Sequence, residues 1–229
     1  MVIEAQSERL LVERLGLVGY REAMVFQARA HAEVLEGGRE RLLLVEHPST
    51  VTLPDRPGLL EHVLASDVQR KRLGVSLEVT DRGGDVTYHG PGQLVVYPIV
   101  RLRDHGLNLG RYMRLLETVV IDVLAGFGVA GFRREGATGV WVGEADRPKK
   151  VCAMGVRIRK HVTMHGLALN VATDLSRFEL IVPCGLAERE VTSLRALLGV
   201  ACPSMAEVEQ ALVSAFAGSL ERGGASGHG

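Results

Sequence analysis

Cysteine, lysine and asparagine are scarce in this chain of 229 residues, and neither sign of charge is in excess. The three cysteines, odd in number and widely spaced, argue against a disulfide framework or a zinc knuckle. Nucleic-acid binders carry a basic surplus, whereas here 27 basic residues balance 27 acidic ones. The chain has no apolar run long enough to cross a membrane and no start typical of a signal peptide. We therefore expect a soluble, cytoplasmic protein without a nucleic-acid or membrane partner.

The composition is that of one large domain. Hydrophobic residues make up 46% of the chain, which is enough to bury a substantial core. We expect the domain to occupy residues 1–218. The stretch 219–229, whose second half is rich in glycine, is expected to be a disordered tail.

Hydrophobic periodicity predicts a mixture of helices and strands. Helical spacing of apolar residues covers 20–35 and 109–127, and Ser204 is the predicted cap of a last helix. A continuous apolar run predicts that strand 94–100 is buried on both faces, and Pro98 within it suggests an edge or a bulge. Further strands are predicted at 41–46, 75–80, 139–142, 151–159 and 162–171, the last three as an antiparallel meander. Together these elements favour an α+β fold, with helices packed on a mostly antiparallel sheet.

Residues 82–93, with the sequence RGGDVTYHGPGQ, form a glycine-rich loop. Its glycines allow sharp turns and a close approach to a ligand, and N–H groups there can hold an anion or a carbonyl oxygen. The residue order differs from that of a P-loop and of the dinucleotide-binding fingerprint. A tight hairpin between two strands is the structural alternative. The polar and aromatic side chains packed among the glycines favour a binding site.

Cys184 is a candidate nucleophile. It follows a proline and precedes a glycine, so it is predicted to lie on a turn, where a side chain is available for chemistry. Cys152 lies inside a predicted strand and has the pattern of an inert core thiol. Cys202 precedes a proline where the last helix begins and has no evident partner.

Lys149 and Lys150 precede a predicted strand. Lysines at strand ends are normally solvated, and we expect this of Lys149. Lys150 adjoins small and apolar residues, which predicts partial burial. A partly buried lysine can serve as a base or lower the pKa of a neighbouring thiol.

His161 and His165 stand four residues apart, a spacing that would suit a metal pair on a helix. Their segment is predicted to be a strand, where four residues span about 13 Å. The residues between them also lack the glutamate of a zinc protease motif. We therefore predict no metal site.

Several segments together resemble the lipoyl(octanoyl) transferases, the octanoyl-[acyl carrier protein]:protein octanoyltransferases. The resemblance covers most of residues 20 to 216, and its motifs occur in the family's order. The matching segments are 82–97, 139–142, 150–157, 165–171, 183–185 and 191–194. The resemblance implies the fold shared by lipoate and biotin protein ligases.

The resemblance also implies an activity: an octanoyl or lipoyl group moves from acyl carrier protein to a specific lysine through a cysteine thioester. This is the first step of endogenous protein lipoylation. The implied acceptors are apo lipoyl domains of oxo-acid dehydrogenase complexes and the glycine cleavage H protein. No cofactor and no metal are implied.

The family's functional residues fall on positions of this chain. A catalytic cysteine–lysine pair would be Cys184 and Lys150. The implied substrate-binding residues are Arg82, Gly83, Gly84, Asp85, Val86, Thr87, Tyr88, His89, Ala153, Met154, Gly155, Gly166, Leu167 and Ala168. One departure from the family lies at 47–56, where relatives often carry a glycine after the threonine, and it leaves the conformation of loop 54–60 open.

The chemistry of acyl transfer is consistent with these residue types. A free thiol with a pKa of about 8.5 is only roughly 3% thiolate at pH 7. A neighbouring ammonium that lowers this pKa by about two units supplies about 2.7 kcal/mol of differential interaction. Neutral Lys150 could then take the proton of the attacking lysine. Met154, Val156 and Leu167 are expected to line an apolar slot for the acyl chain.

Two other functions remain open at this point. An ATP-dependent lipoate or biotin ligase on the same fold activates its acid as an adenylate and needs no catalytic cysteine. A non-catalytic acyl-binding protein would keep Cys184 inert. Alkylation of Cys184 separates the three, because only the transferase loses its turnover.

Overall fold

The structure, a computed structural model, describes residues 2–5, 9–182 and 191–225. Eleven strands and five α-helices lie within these ranges. The strands are β1 Val2–Ala5, β2 Leu10–Leu17, β3 Glu40–Glu46, β4 Thr50–Pro54, β5 Ser76–Thr80, β6 Thr87–His89, β7 Gln93–Ile99, β8 Phe132–Arg134, β9 Ala137–Val142, β10 Lys149–Arg159 and β11 Val162–Asn170. The helices are α1 Tyr20–Leu35, α2 Asp67–Arg72, α3 Leu109–Gly126, α4 Leu194–Leu198 and α5 Met205–Ala225, and short 3-10 segments occur at Leu59–His62, Leu102–His105, Leu175–Leu180 and Gly199–Ala201.

An eight-stranded sheet forms the centre of the molecule. Its strand order is β1-β2-β3-β7-β11-β10-β9-β8, and every neighbouring pair except β2 with β3 is antiparallel. Helices α3 and α5 pack on one face through residues such as Leu116, Val120 and Phe216. Helix α1 covers the other face through Ala23, Ala30 and other residues. The predicted α+β fold with a mostly antiparallel sheet is confirmed.

A second sheet has three strands in the order β5-β4-β6 and its own small core. Strand β4 pairs in parallel with β5 and antiparallel with β6. The stretch 82–93, predicted to be a loop, contains strand β6 at Thr87–His89, so the glycine-rich loop proper connects β5 to β6. The Gly83 N–H donates to the Val156 carbonyl oxygen of β10 at 3.0 Å, so this loop rests on the main sheet.

Side-chain caps explain where most of the helices begin. Ser66 and Gln69 form a reciprocal capping box at α2, and the Asn108 side chain accepts from the Arg111 N–H at α3. The predicted start of the last helix is confirmed, because the Ser204 hydroxyl accepts from the Glu207 N–H while the Glu207 carboxylate accepts from Ser204.

Two sequence predictions need correction. Pro98 was expected at an edge or a bulge, yet β7 is central and Pro98 pairs in register with Leu42 of β3. The ladder between β7 and β11 runs only from Gln93 to Val96, and a Cβ on Gly166 would lie 2.7 Å from Pro98 Cδ. Pro98 is tolerated because the β11 ladder has already ended there, so no N–H is required on that side.

The C-terminal boundary is the second correction. The tail was predicted to begin at 219, whereas α5 continues to Ala225. Leu220 is buried in the main core, and Arg222 donates to the Ser219 hydroxyl at 2.9 Å, so this last part of the helix is held by packing and by a side-chain contact.

Within the described residues no single helix has the length and apolar composition to cross a membrane. One bent pair, Leu194–Ala201 with Met205–Arg222, meets that criterion by length and composition.

Candidate active site

A cavity of about 430 Å³ lies on the α1 face of the main sheet, beneath the glycine-rich loop. This volume falls within the range of roughly 300–1,000 Å³ that is usual for small-molecule sites. Lys150 lines it. Twelve of the expected substrate-binding residues also line it: Arg82, Gly84, Asp85, Val86, Thr87, His89, Ala153, Met154, Gly155, Gly166, Leu167 and Ala168.

Three expected residues lie outside this lining. Gly83 supports the loop from behind through its hydrogen bond to the Val156 carbonyl oxygen. Tyr88 is buried in the small core, where its hydroxyl lies 3.0 Å from that of Ser49 and its ring meets Phe178 at 5.4 Å. Val156, expected in the acyl slot, packs against the core on the opposite face of the main sheet.

Other residues of the lining were not among the expected substrate-binding residues. Gln93 belongs to the glycine-rich stretch that was predicted to form a site, and Val95, Tyr97, Asn170 and Val191 lie in the matching motifs, so attention to those motifs could have found them. The others carry no local signal, because distant elements bring them together: Tyr20, Arg56, Gly136, Ala137, Thr138 and Phe178.

The glycine-rich loop is held by the side chain of Arg82. One guanidinium nitrogen donates to the Thr52 carbonyl and hydroxyl oxygens at 3.2 and 2.9 Å and to the Asp85 carbonyl at 2.6 Å. The Gly84 carbonyl accepts from Arg56, so loop 54–60, left open by the sequence, borders the cavity. The close approach of the loop to β10 requires a glycine there, since a Cβ on Gly155 would meet the loop backbone at 2.5 Å.

Lys150 is partly buried and Lys149 is exposed, as predicted. The Lys150 Nζ lies 4.7 Å from the centroid of the buried Trp141 ring, which is a cation–π contact. The backbone of β10 requires a glycine at position 139, because a Cβ there would clash with the Cys152 carbonyl oxygen. The Thr192 N–H donates to the Lys150 carbonyl oxygen at 3.0 Å.

Cys184 lies in the segment 183–190, outside the described residues. The residues on either side of that segment are described. Val182 donates its N–H to the His62 carbonyl oxygen at 2.7 Å. Val191 forms an isolated bridge with Lys150 and lines the cavity. The chain therefore resumes beside Lys150 directly after the segment that carries Cys184.

Cys152 has the properties of an inert core thiol, as predicted. Its side chain is fully buried, and this burial raises the pKa of the Cys152 thiol to about 12. The thiol is therefore protonated at neutral pH and is a poor nucleophile.

Buried rings surround the inner part of the cavity. Tyr20 stacks on His89 at 6.2 Å, and His47 bonds the Tyr97 hydroxyl at 2.7 Å. Burial and nearby positive charge lower the pKa of His89 well below its ordinary value. His89 is therefore neutral at pH 7.

His165 has a left-handed backbone, with φ at 57°, although it lies within β11. Burial and the charges of Arg82 and Arg157 lower the pKa of His165 to about 3. Its Nε2–H donates to Asp81 at 2.7 Å, and Arg157 already engages the other oxygen of that carboxylate. Within the described ranges, no three His, Cys, Asp or Glu side chains are grouped to hold a metal ion.

Comparison with known proteins identifies the family. Residues 19–217 match the model of the lipoyl protein ligase A/B catalytic domain. Octanoyltransferase from Chloroflexus aurantiacus is 50% identical over 209 residues, covering 90% of this chain and 91% of that protein. The octanoyltransferase from Bacteroides fragilis is 48% identical over 194 residues, covering 84% and 87%. The chain belongs to the octanoyltransferase family.

Solved structures show that the fold is shared more widely. A lipoate-protein ligase A bound with ATP superposes with a TM-score of 0.75 at 19% identity, covering 92% of this chain and 85% of that one. A biotin protein ligase from Aquifex aeolicus superposes with a TM-score of 0.52 at 14% identity, covering 92% and 69%. At these identities the likeness shows the fold alone, and this is the fold that the sequence motifs implied.

Proposed function

We propose that this chain transfers an octanoyl or lipoyl group from acyl carrier protein to a lysine of a lipoyl domain, through a thioester on Cys184. The observation that carries the proposal is the position of Lys150. It lines the cavity and pairs with Val191, where the chain leaves the segment that holds Cys184. Octanoyltransferase relatives at about half identity support the same activity.

In the first half-reaction, the Cys184 thiolate attacks the carbonyl carbon of the octanoyl carrier. A new carbon–sulfur bond forms, the carrier's sulfur leaves, and a proton restores it as a thiol. The Lys150 ammonium stabilises the thiolate that begins this step and can supply that proton. One thioester replaces another, so the step is close to balanced in energy.

In the second half-reaction, the amine of the acceptor lysine attacks the acyl-enzyme. A carbon–nitrogen bond forms as the bond to Cys184 breaks. Less than about 0.1% of a lysine with a pKa near 10.4 is neutral at pH 7, so a base must remove its proton. The acceptor ammonium gives one proton to solvent before the attack and a second one as the amide forms. Lys150, neutral after the first half-reaction, accepts the second proton, and the enzyme returns to its starting state.

The cavity suits the acyl chain and limits the choice of oxyanion donors. Val95, Tyr97 and Ala168, which belong to the core on the α1 face, supply apolar surface. Met154 and Leu167, also expected in the acyl slot, pack with the core on the opposite face of the sheet, as Val156 does. Within the glycine-rich loop, the Gly83 N–H is already bonded to Val156, and the Val86 N–H to the Asp85 carboxylate at 2.6 Å. Stabilisation of the tetrahedral oxyanion therefore falls to other backbone donors.

The substrates proposed are octanoyl-acyl carrier protein as donor and, as acceptors, apo lipoyl domains of oxo-acid dehydrogenase complexes and the glycine cleavage H protein. All expected substrate-binding residues except Gly83 and Tyr88 line the cavity, and this supports the assignment. Gly83 and Tyr88 are proposed to shape the site from behind.

The test is acylation followed by mass spectrometry. Incubation with octanoyl carrier should place the octanoyl mass on the peptide that contains Cys184, and Cys184→Ala should abolish transfer. Lys150→Ala should reduce transfer by at least about a hundredfold, the low end of general acid–base contributions. Lys149→Ala is the matched control and should leave the rate unchanged.

Acylation of Cys152, or full activity in Cys184→Ala, would contradict the thioester. Equal behaviour of the two lysine variants would contradict the pairing of Lys150 with the thiol. Turnover that requires ATP and survives alkylation of Cys184 would indicate a ligase instead.

A further inference from the structure

A line of buried polar groups starts at the glycine-rich loop. The Arg82 guanidinium donates to the Thr52 hydroxyl oxygen at 2.9 Å. That hydroxyl lies 3.4 Å from His89 Nε2, and His89 Nδ1 lies 2.7 Å from Gln93 Oε1. Thr52, His89 and Gln93 are all at most 6% exposed, so these contacts are shielded from water.

The line continues to the strand of Lys150. Gln93 Nε2 donates to the Asn170 side-chain oxygen at 2.9 Å, and Asn170 Nδ2 donates to the Thr192 carbonyl oxygen at 3.0 Å. The Thr192 N–H in turn donates to the Lys150 carbonyl oxygen at 3.0 Å. Asn170 lines the cavity and is 4% exposed.

The side-chain hydrogen bonds along this line all donate in the same direction, from Arg82 towards Thr192. The two ends of the line fix this direction, because a guanidinium can only donate and a carbonyl oxygen can only accept. Gln93 Nε2 also donates to the Tyr88 carbonyl oxygen at 3.1 Å, so Gln93 Oε1 must accept and His89 must carry its hydrogen on Nδ1. Neutral His89 then accepts from Thr52 through Nε2. Bonds aligned in this way polarise one another and strengthen the whole line.

We propose that Asn170 is a positioning residue for the acyl transfer. It is the side-chain link between the cavity floor and the carbonyl of Thr192, and so it fixes where the chain after Cys184 pairs with Lys150. The inference rests on the proposed function for its kinetic consequence, whereas the link itself joins described residues. It gives a role to two buried motif amides, Gln93 and Asn170, that take no chemical part in the reaction.

The variant Asn170→Asp keeps the shape of the side chain and removes both N–H donors. We expect single-turnover acylation of Cys184 to fall about tenfold or more, because small displacements of reacting groups have large kinetic effects. The pH midpoint for alkylation of Cys184 should rise towards that of a free thiol. The KM for octanoyl carrier should change less than about twofold, because Asn170 is assigned to the cysteine side of the site.

Ser193→Ala provides the control for a merely structural effect. The Ser193 hydroxyl caps α4 by accepting from the Ala196 N–H at 3.2 Å. Ser193 directly follows Thr192 in the chain, so the control alters the structure next to the same residue. Its loss should lower Tm by a few degrees while leaving the acylation rate and the alkylation profile as in the wild type.

Gln93→Met is the second variant, because a carboxylate facing the Thr192 carbonyl could prevent Asn170→Asp from folding. It leaves Asn170 in place without its neighbour, and we expect a smaller shift of the alkylation profile in the same direction. A wild-type profile in folded Asn170→Asp would overturn the proposal. If Asn170→Asp does not fold, a wild-type alkylation profile in Gln93→Met would overturn the proposal. An equal shift of the alkylation profile in Ser193→Ala would also overturn it.

Hydrogen exchange separates this inference from the proposed function. The Thr192 amide should lose more protection from exchange in Asn170→Asp than in Ser193→Ala. If only Gln93→Met folds, the same comparison applies to that variant. This readout needs no turnover. If wild-type Cys184 is never acylated, the transferase proposal fails while the exchange data still decide the role of Asn170.

Discussion

Replacing Gly155 by alanine tests whether the glycine-rich loop must rest tightly on β10. An added Cβ would lie 2.5 Å from the Gly83 carbonyl oxygen, whereas ordinary contacts begin at 3.4 Å. The neighbour is backbone, so it cannot rotate away. Either the loop or the strand must therefore move by about 0.9 Å, the difference between these distances.

Such a movement has two calculable effects. It would stretch the adjacent bond between the Gly83 N–H and the Val156 oxygen, now 3.0 Å, towards the limit of hydrogen bonding. Overpacking of this kind lowers the free energy of unfolding by about 1–3 kcal/mol, which for a chain of this length lowers Tm by roughly 2–12 °C. The same shift displaces Arg82, whose Cδ would lie 3.4 Å from the new methyl group.

The assay is octanoyl loading of the enzyme measured beside thermal unfolding. A displacement near 1 Å at a site can reduce the rate by up to about a hundredfold, and we expect loading to fall by at least tenfold below the melting transition. Near-native melting together with normal loading would refute the reasoning, because it would mean that the loop adapts freely.

Gly126→Ala is the matched control for Gly155→Ala. Gly126 ends α3, has no atom within 4 Å of an added Cβ, and lies far from the loop in the chain. Alanine there should raise the free energy of unfolding by at most about 1 kcal/mol and leave loading unchanged. A loss of loading in this variant would show that the assay responds to glycine replacement in general.

Two further outcomes are expected. The folded protein holds His89 and His165 neutral, with the pKa of His165 at about 3, so the unfolded chain binds more protons than the folded one below pH 6.5. The free energy of unfolding should therefore decline as the pH falls from 6.5 towards 3, and it should not depend on these two groups above pH 6.5. Denaturant titrations at a series of pH values measure this. Trp141→Leu removes the aromatic ring that Lys150 contacts and should slow acylation by about 2- to 30-fold, the equivalent of about 0.5–2 kcal/mol of cation–π energy. Arg134→Ala is the control: it removes the other cation near this ring, at 5.5 Å from the centroid, and should leave the acylation rate unchanged.

The elements with strong local periodicity were predictable from the sequence. Helix α1 has the predicted bounds, and α3 differs by one residue at its end. Strands β9, β10 and β11 form the expected meander. In each of these cases an amphipathic or apolar pattern extends over most of the element and faces one core.

The short strands were not predictable in the same way. Strands β1, β2, β4, β6 and β8 are absent from the sequence-based assignment. Strand β6 has three residues and β4 ends in a proline, so neither carries a clear period. They are strands because they pair with each other, as Thr50 does with His89, and such pairing between distant segments leaves no local pattern.

The candidate site shows the same division. The motifs predicted most of the cavity lining, and the burial of Lys150 relative to Lys149 followed from their neighbours. Periodicity could not assign Tyr88 to a face, because β6 has only three residues. For Val156, the bulge between Lys150 and Cys152 breaks the alternation that would relate its face to that of Lys150. The directed line through Asn170 depends on amide orientations that only three-dimensional partners determine.

The two bridges beside the segment 183–190 have a consequence for folding. Val63 pairs with Ile181 across more than a hundred residues of chain, and Val191 pairs with Lys150 across about forty. The β9–β11 meander needs only local contacts, whereas distant pairings form late because long loops must close first. During synthesis, Val191 leaves the ribosome after every strand of both sheets. A nascent chain can therefore assemble the floor of the cavity before the residues on either side of the cysteine segment reach their partners, and the acyl-transfer site is expected to form after the strands of both sheets.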